Sequence, residues 1–160
     1  MTIRSATPSD VPMVLPMVEK IVAFHEAIDP ARFAPRGNPA EKYRDWLTDR
    51  AQDARSVFLV ADVGSTGAAP QLGGFLVATV TREIPIYKTA EYGFIHDLWV
   101  EEAFRNEGYA RQMVMLAVER FHEIGVKQVR LDTAYTNQAA QNLFKSCGFR
   151  PTNIEWLIEQ

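Results

Sequence analysis

The chain has 160 residues, the length of one domain, and 47% of them are hydrophobic, enough to build a folded core. Its net charge of −3 is spread without a block of one sign, which excludes the basic patch or stripe of a dedicated nucleic-acid binder. A single cysteine, Cys147, excludes an internal disulfide framework and fits a reducing, cytoplasmic setting, and three scattered histidines offer no metal-ligand spacing.

Residues 2–6 read as a short first strand, and the opening MTIRSATPSD has no apolar stretch of the kind a secretory signal carries. Thr7-Pro8-Ser9-Asp10 is a helix start, with Thr7 as N-cap, Pro8 at the first helical position and Asp10 at the third. That helix is expected to reach about residue 27. Pro12 is tolerable in the first turn, whereas Pro16 is expected to kink the helix or break it in two. Residues 29–39 read as a loop. Asn38-Pro39-Ala40-Glu41 repeats the start signal for a second helix over about residues 39–53.

Residues 56–63 are an apolar, β-branched strand. Residues 64–71 (GSTGAAPQ) read as a hairpin connection, and residues 72–83 as the returning strand, bent near Gly73-Gly74. A loop over residues 85–91 leads to a buried strand over residues 92–100. From residue 107 to 124, Ala110, Met113, Val114, Ala117, Val118, Phe121 and Ile124 fall on one helical face, and Gly125 ends the helix. Residues 128–132 read as a strand. Asn137 caps another helix, with Ala139, Ala140, Leu143, Phe144 and Cys147 on its apolar face and Gly148 at its end. Residues 154–158 read as a final strand. No apolar run reaches the roughly 18 residues of a membrane span.

The order β-α-α-β-β-β-α-β-α-β puts hairpin-type strands before a strand–helix–strand crossover. That implies a mixed α/β domain over residues 1–160, with a mostly antiparallel sheet and helices on both faces. The crossover brings a loop at the carboxyl end of a strand to a helix N-terminus, where open α/β sheets bind ligands. That loop, Arg105-Asn106-Glu107-Gly108-Tyr109-Ala110, is built for an anion. Its small residues let backbone approach a ligand, the N–H groups of the helix start attract negative charge, and Arg105 supplies a cation.

Several stretches together resemble the GNAT superfamily of acetyl-CoA-dependent N-acetyltransferases. Ile3-Arg4-Ser5-Ala6-Thr7-Pro8-Ser9-Asp10 is similar to that family's first strand and turn. Asp97-Leu98-Trp99-Val100 followed by Arg105-x-x-Gly108-x-Ala110 is similar to its central motif. Asn137-x-x-Ala140-x-x-Leu143-Phe144-x-x-x-Gly148-Phe149 is similar to its C-terminal motif. The resemblance spans nearly the whole chain and implies a sheet whose central strands splay apart. It also implies acetyl-CoA as co-substrate, an amine acceptor and no metal. Leu98-Trp99-Val100 would line the pantetheine arm, with main-chain groups of Leu98 and Val100 bonding it like an added strand. Arg105, Asn106, Glu107, Gly108, Tyr109 and Ala110, followed by Arg111, would hold the pyrophosphate. Asn137, with Ala140 and Phe144 on the same helix, would meet the cofactor near the pantetheine. Homodimers occur in the family, and residues 154–158 offer a strand that would pair across one.

Acetyl transfer needs a neutral amine, a stabilised thioester oxygen and, for the leaving thiolate, a proton. His96 and Asp97 lie on the central strand, where the family often keeps a base. His96 has the more suitable unperturbed pKa, near 6.5, and alternation puts it with Phe94 and Leu98, with Asp97 on the opposite face. Each has a structural alternative: a hydrogen-bonded histidine, and a carboxylate that orients backbone. The family often supplies the thiolate's proton from a tyrosine four residues before the final glycine of the C-terminal motif. Phe144 stands there and has no proton to give. Three readings stay open: departure without an acid, substitution by Tyr135 or Tyr109, or a domain that mainly binds an acyl-CoA. Cys147, on an apolar face, reads as packing rather than a nucleophile, and His122 as solvated. The acceptor would enter between residues 25–36, with His25, Glu26, Asp29, Arg32 and Arg36, and residues 85–92, with Tyr87 and Lys88.

Overall fold

The computed structural model describes residues 1–64 and 71–159. In chain order the elements are β1 (Thr2–Ser5), α1 (Val11–Ile28), α2 (Pro30–Phe33), α3 (Pro39–Gln52), β2 (Val57–Asp62), β3 (Leu72–Arg82), β4 (Glu91–Val100), α4 (Tyr109–Glu123), β5 (Val129–Leu131) and α5 (Gln138–Ser146). The five strands lie side by side in sequence order. β1 to β4 are antiparallel neighbours, and β5 joins β4 in parallel after the α4 crossover.

Strand alternation explains why helices cover both faces. Phe58, Val60, Phe75 and Val77 point to one side and pack with Val14, Val18 and Leu47 of α1 and α3. Val57, Leu59, Leu76 and Ala78 point to the other and pack with Met113, Val114, Ala117 and Phe121 of α4. Gly93 of β4 lets α4 come this close, because a Cβ there would lie 2.5 Å from the Phe121 ring. Arg4 ties the sheet edge to the first turn, with ion pairs of 2.8 Å to Asp10 and 2.9 Å to Asp62. Asp10 also completes a capping box with Thr7. The Arg4 guanidinium holds the Asp10 carboxyl down at about 2.

Several expectations are corrected. α1 runs on through Pro16, so of the two expected outcomes the break into two helices does not occur. The carbonyl that Pro16 strands lies on the exposed side, and burial of Val14, Leu15, Met17 and Val18 outweighs a proline penalty of about 3 kcal/mol. The loop after α1 contains the short helix α2, whose Asp29 cap accepts from the Arg32 N–H at 3.3 Å. α4 starts at Tyr109 rather than Glu107, because Gly108 sits at φ 86°, a left-handed turn that ends the approach loop and caps the helix. Residues 154–158 form no strand. Their alternation supplies an apolar face, but a strand exists only as a paired element. The segment's recorded polar tie to the body is instead an ion pair of 2.5 Å between Glu155 and Arg32, and Trp156 is left 88% exposed. The expected hairpin connection at residues 64–71 lies largely outside the described residues.

Candidate active site

β4 carries an extra residue, and that residue is His96. Asp97 pairs with Val77 and Ile95 pairs with Ala78, so nothing in β3 opposes His96. This bulge resets the side-chain alternation. Asp97 therefore does not point away from His96, as simple alternation predicts. His96 meets Trp46 of α3 and Asp97 meets Tyr43 of α3, both on the α1/α3 side. Leu98 has moved to the α4 side instead. The parallel pairing of β4 with β5 covers only Gly93 to Ile95. The strands part at the bulge, and among the described residues the β4 edge from His96 to Val100 has no strand partner on that side.

The His96 ring is held on three sides. Its Nε2 lies 2.7 Å from Thr79 Oγ1, and the Trp46 and Phe94 rings stand nearly edge-on at 5.3 and 5.1 Å. Burial, and then the Arg50 charge, hold its pKa below the ordinary histidine value. The ring is accordingly neutral at pH 7 and able to accept a proton.

Asp97 is one of the few buried charged side chains, 8% exposed, and accepts a 3.0 Å hydrogen bond from the Tyr43 hydroxyl. Burial pushes its carboxyl up to about 6, with the Tyr43 bond pulling the other way. Burial and the neighbouring carboxylate also push the Tyr43 phenol well above its usual range, so Tyr43 stays a donor. Tyr43 and Trp46 were not among the residues picked out from sequence. Their signal was present: Ala40, Tyr43, Trp46, Leu47 and Arg50 follow helical i, i+3, i+4 spacing along the inner face of α3. Lys42, Tyr43, Trp46 and His96 line an open cleft of about 270 Å³ over this part of β4.

At the far end of β4, Arg105 folds back on the strand. Its Nε donates to the Val100 carbonyl at 2.9 Å, and its guanidinium lies 4.8 Å from the centroid of the Trp99 ring. Asn106 at φ 65° and Gly108 at φ 86° turn the loop tightly into α4. Among the described residues no side chain caps the first N–H groups of α4, which leaves them for an acceptor from outside. Glu107 and Arg111 flank them in solvent, Tyr109 is partly covered, and Ala110 packs on the core beneath. These features fit the diphosphate of coenzyme A, and the open edge from His96 to Val100 fits a pantetheine arm.

Asn137 caps α5, its Oδ1 accepting from the Ala140 N–H at 3.1 Å. Phe144 and Cys147 pack on the α4 side of the core, with Phe144 edge-on to Phe149 at 6.0 Å. Tyr135 is 86% exposed, and among the described residues no hydrogen bond or ring contact joins it to His96 or Asp97. Of the expected acceptor-binding residues, Asp29 is occupied as the α2 cap and Arg32 by Glu155.

A model of the acetyltransferase (GNAT) family matches residues 21–149. An uncharacterised N-acetyltransferase of Bacillus subtilis, YvbK, is 26% identical over 110 residues, covering 68% of this chain and 66% of the relative. The N-alpha-acetyltransferase 30 of Dictyostelium discoideum is 28% identical over 76 residues, covering 48% of this chain and 41% of the relative. Both matches thus span less than two thirds of the relative's own length. Among solved structures, a tetramutant of BH1408 from Bacillus halodurans superposes over the whole of both chains with a TM-score of 0.79 and 21% identity. The aminoglycoside antibiotic 6′-N-acetyltransferase AAC(6′)-Ig of Acinetobacter haemolyticus gives a TM-score of 0.73 at 17% identity, covering 100% of this chain and 98% of that one. At such identities the superpositions establish a shared fold.

Proposed function

The chain belongs to the GNAT acetyltransferase family, and on that premise we propose that it moves the acetyl group of acetyl-CoA to a primary amine by direct attack within a ternary complex. The observation that carries this reading is the position of His96: an imidazole on a bulge, at the point where β4 leaves β5 and beside an open cleft.

In this reading the pantetheine arm lies along the free edge of Leu98, Trp99 and Val100, and the diphosphate lies on the loop of Arg105 to Ala110 with Arg111 beside it. Asn137, Ala140 and Phe144 border the arm from α5. The acceptor amine enters over Trp46. Nε2 of His96 lies 2.7 Å from Thr79 Oγ1; we assign the tautomer in which Nε2–H donates to that hydroxyl, so that the Nδ1 lone pair takes the amine proton, directly or through water. The amine nitrogen bonds to the thioester carbon, and main-chain N–H groups of the open β4 edge stabilise the oxygen. The carbon–sulfur bond then breaks and coenzyme A leaves as the thiolate. That thiolate takes its proton from water, with Tyr135, on the loop before α5, as the alternative donor. Asp97 serves as a second proton acceptor behind Tyr43, because burial brings its carboxyl to about 6.

A small-molecule acceptor is the reading we favour, and the open cleft of about 270 Å³ has room for one. The likeness to a relative named for N-alpha acetylation keeps a protein N-terminus as the competing acceptor. The aminoglycoside enzyme is similar in fold alone. Thiol release from acetyl-CoA, followed with a panel of small amines and with short peptides, tests the proposal. Amine-dependent release supports it. Tight acetyl-CoA binding without release by any amine or peptide would instead make the domain an acyl-CoA sensor.

A further inference from the structure

Among the described residues, Lys42 is the one charged side chain that lines the acceptor cleft. Its walls are Tyr43, Trp46 and His96, with Phe94 behind the imidazole, and Lys42 stands at its rim. Among the described residues no carboxylate lines it. The acids of α3 in this region, Glu41, Asp45 and Asp49, are exposed at other positions of the helix, and Asp97 is buried behind the Tyr43 hydroxyl. Among the described residues Lys42 has no carboxylate partner; its Nζ donates to the Arg36 carbonyl. Arg50 bears on His96 from α3, but it lies outside the lining of the cleft and its charge is met by Asp53 at 2.9 Å.

From this arrangement the geometry points to an acceptor class: a primary monoamine with a flat, apolar body and one acidic group, and not a polyamine. This inference rests on the acetyl-transfer reading for the role of the cleft. The reasons are chemical. Aromatic faces accept a planar apolar body and tolerate one ammonium group through their π electrons. A polyamine brings further positive charges to a cleft whose one charged lining residue, Lys42, is also positive, with no carboxylate among the lining residues to receive them. A carboxylate on the acceptor, in contrast, gives Lys42 the anionic partner that the protein does not provide.

Three probes separate the classes: 4-(aminomethyl)benzoate, benzylamine and spermidine, each titrated calorimetrically into the protein alone and into the protein saturated with coenzyme A. The amino acid is expected to bind about 10-fold more tightly than benzylamine, and spermidine more weakly than either. Lys42→Gln should shrink the ratio between the first two toward one, and Trp46→Leu should weaken both aryl amines about 10-fold, with thermal unfolding read beside each to confirm a folded variant. Spermidine binding as tightly as the aryl amines, an unchanged ratio in Lys42→Gln, or no binding of any probe would overturn the inference. Thiol release from acetyl-CoA is measured separately with the same probes. Binding in the expected order without thiol release would overturn acetyl transfer and leave the specificity of the cleft standing.

Discussion

The Tyr43 hydroxyl donates a 3.0 Å hydrogen bond to Oδ2 of Asp97, a carboxylate the fold leaves only 8% exposed. α3 thereby holds the one strongly buried acid on the central strand. Burial raises that carboxyl from an ordinary value of 3.8 to about 6. Between those values the folded state holds the proton more tightly than the unfolded chain, so stability falls as pH rises from about 4 to 6 and is level above. Asp97→Asn keeps an acceptor for Tyr43 without the charge. It is expected to be more stable than the parent at pH 7.5 by up to about 2–3 kcal/mol and to unfold with a flatter pH dependence. Urea unfolding at pH 4.5 and 7.5 checks this; equal stability of the two proteins at pH 7.5 would contradict it. A gain in stability with a loss in turnover would mark Asp97 as kept for function rather than for the fold.

Tyr43→Phe removes the one hydrogen bond to that carboxylate among the described residues. The bond pulls the Asp97 pKa down, so its loss moves the titration above 6 and costs about 1–3 kcal/mol at neutral pH. The shift is read from the pH dependence of stability of the variant against the parent. A midpoint that stays in place would remove Tyr43 from the account.

Gly108 turns the loop into α4 at φ 86°, and a Cβ there would meet nothing closer than the Gln112 amide at 3.7 Å. The constraint is therefore backbone conformation, not space. Gly108→Ala should cost about 1–2 kcal/mol of stability through left-handed strain. Gly108→Arg should abolish acetyl-CoA binding, while circular dichroism confirms an intact fold. Unchanged binding by the arginine variant would sink the diphosphate assignment.

Arg105 occupies the Val100 carbonyl and the face of Trp99 in this structure, and both belong to the edge proposed for the pantetheine arm. Acetyl-CoA binding should lift the guanidinium off the ring and turn it to the diphosphate. In a Trp46→Phe, Trp156→Phe background, saturating acetyl-CoA is expected to change the emission of Trp99. Arg105→Ala should weaken binding by roughly 10-fold or more, the size of one charge-assisted hydrogen bond. Binding with unaltered Trp99 emission would place the arm elsewhere.

Most of the fold was legible because its signals are local or periodic. The caps at Asn38 and Asn137, the glycine stops and the apolar stripe of α4 are written in single residues at fixed spacing. The bulge at His96 was not legible, because a bulge depends on how β3 and β4 align and not on either strand alone. That one inserted residue brought His96 and Asp97 to the same face. Tyr43 and Trp46 escaped notice for a related reason: their partners lie about fifty residues away on β4, and only the packed structure brings α3 over the bulge. Residues 154–158 misled because alternation promises a strand only where a second strand is there to receive it.

The central claim is that His96 takes a proton from an amine bound beside acetyl-CoA. The direct measurement is amine-dependent thiol release from acetyl-CoA across pH 5 to 9, by the parent protein and by His96→Ala. The account predicts a parent kcat that rises with the deprotonation of a group below the ordinary histidine value and then levels. It predicts a variant that binds acetyl-CoA normally yet turns over about 10²–10⁴-fold more slowly, without that titration. A variant as active as the parent, with the same pH profile, would contradict it.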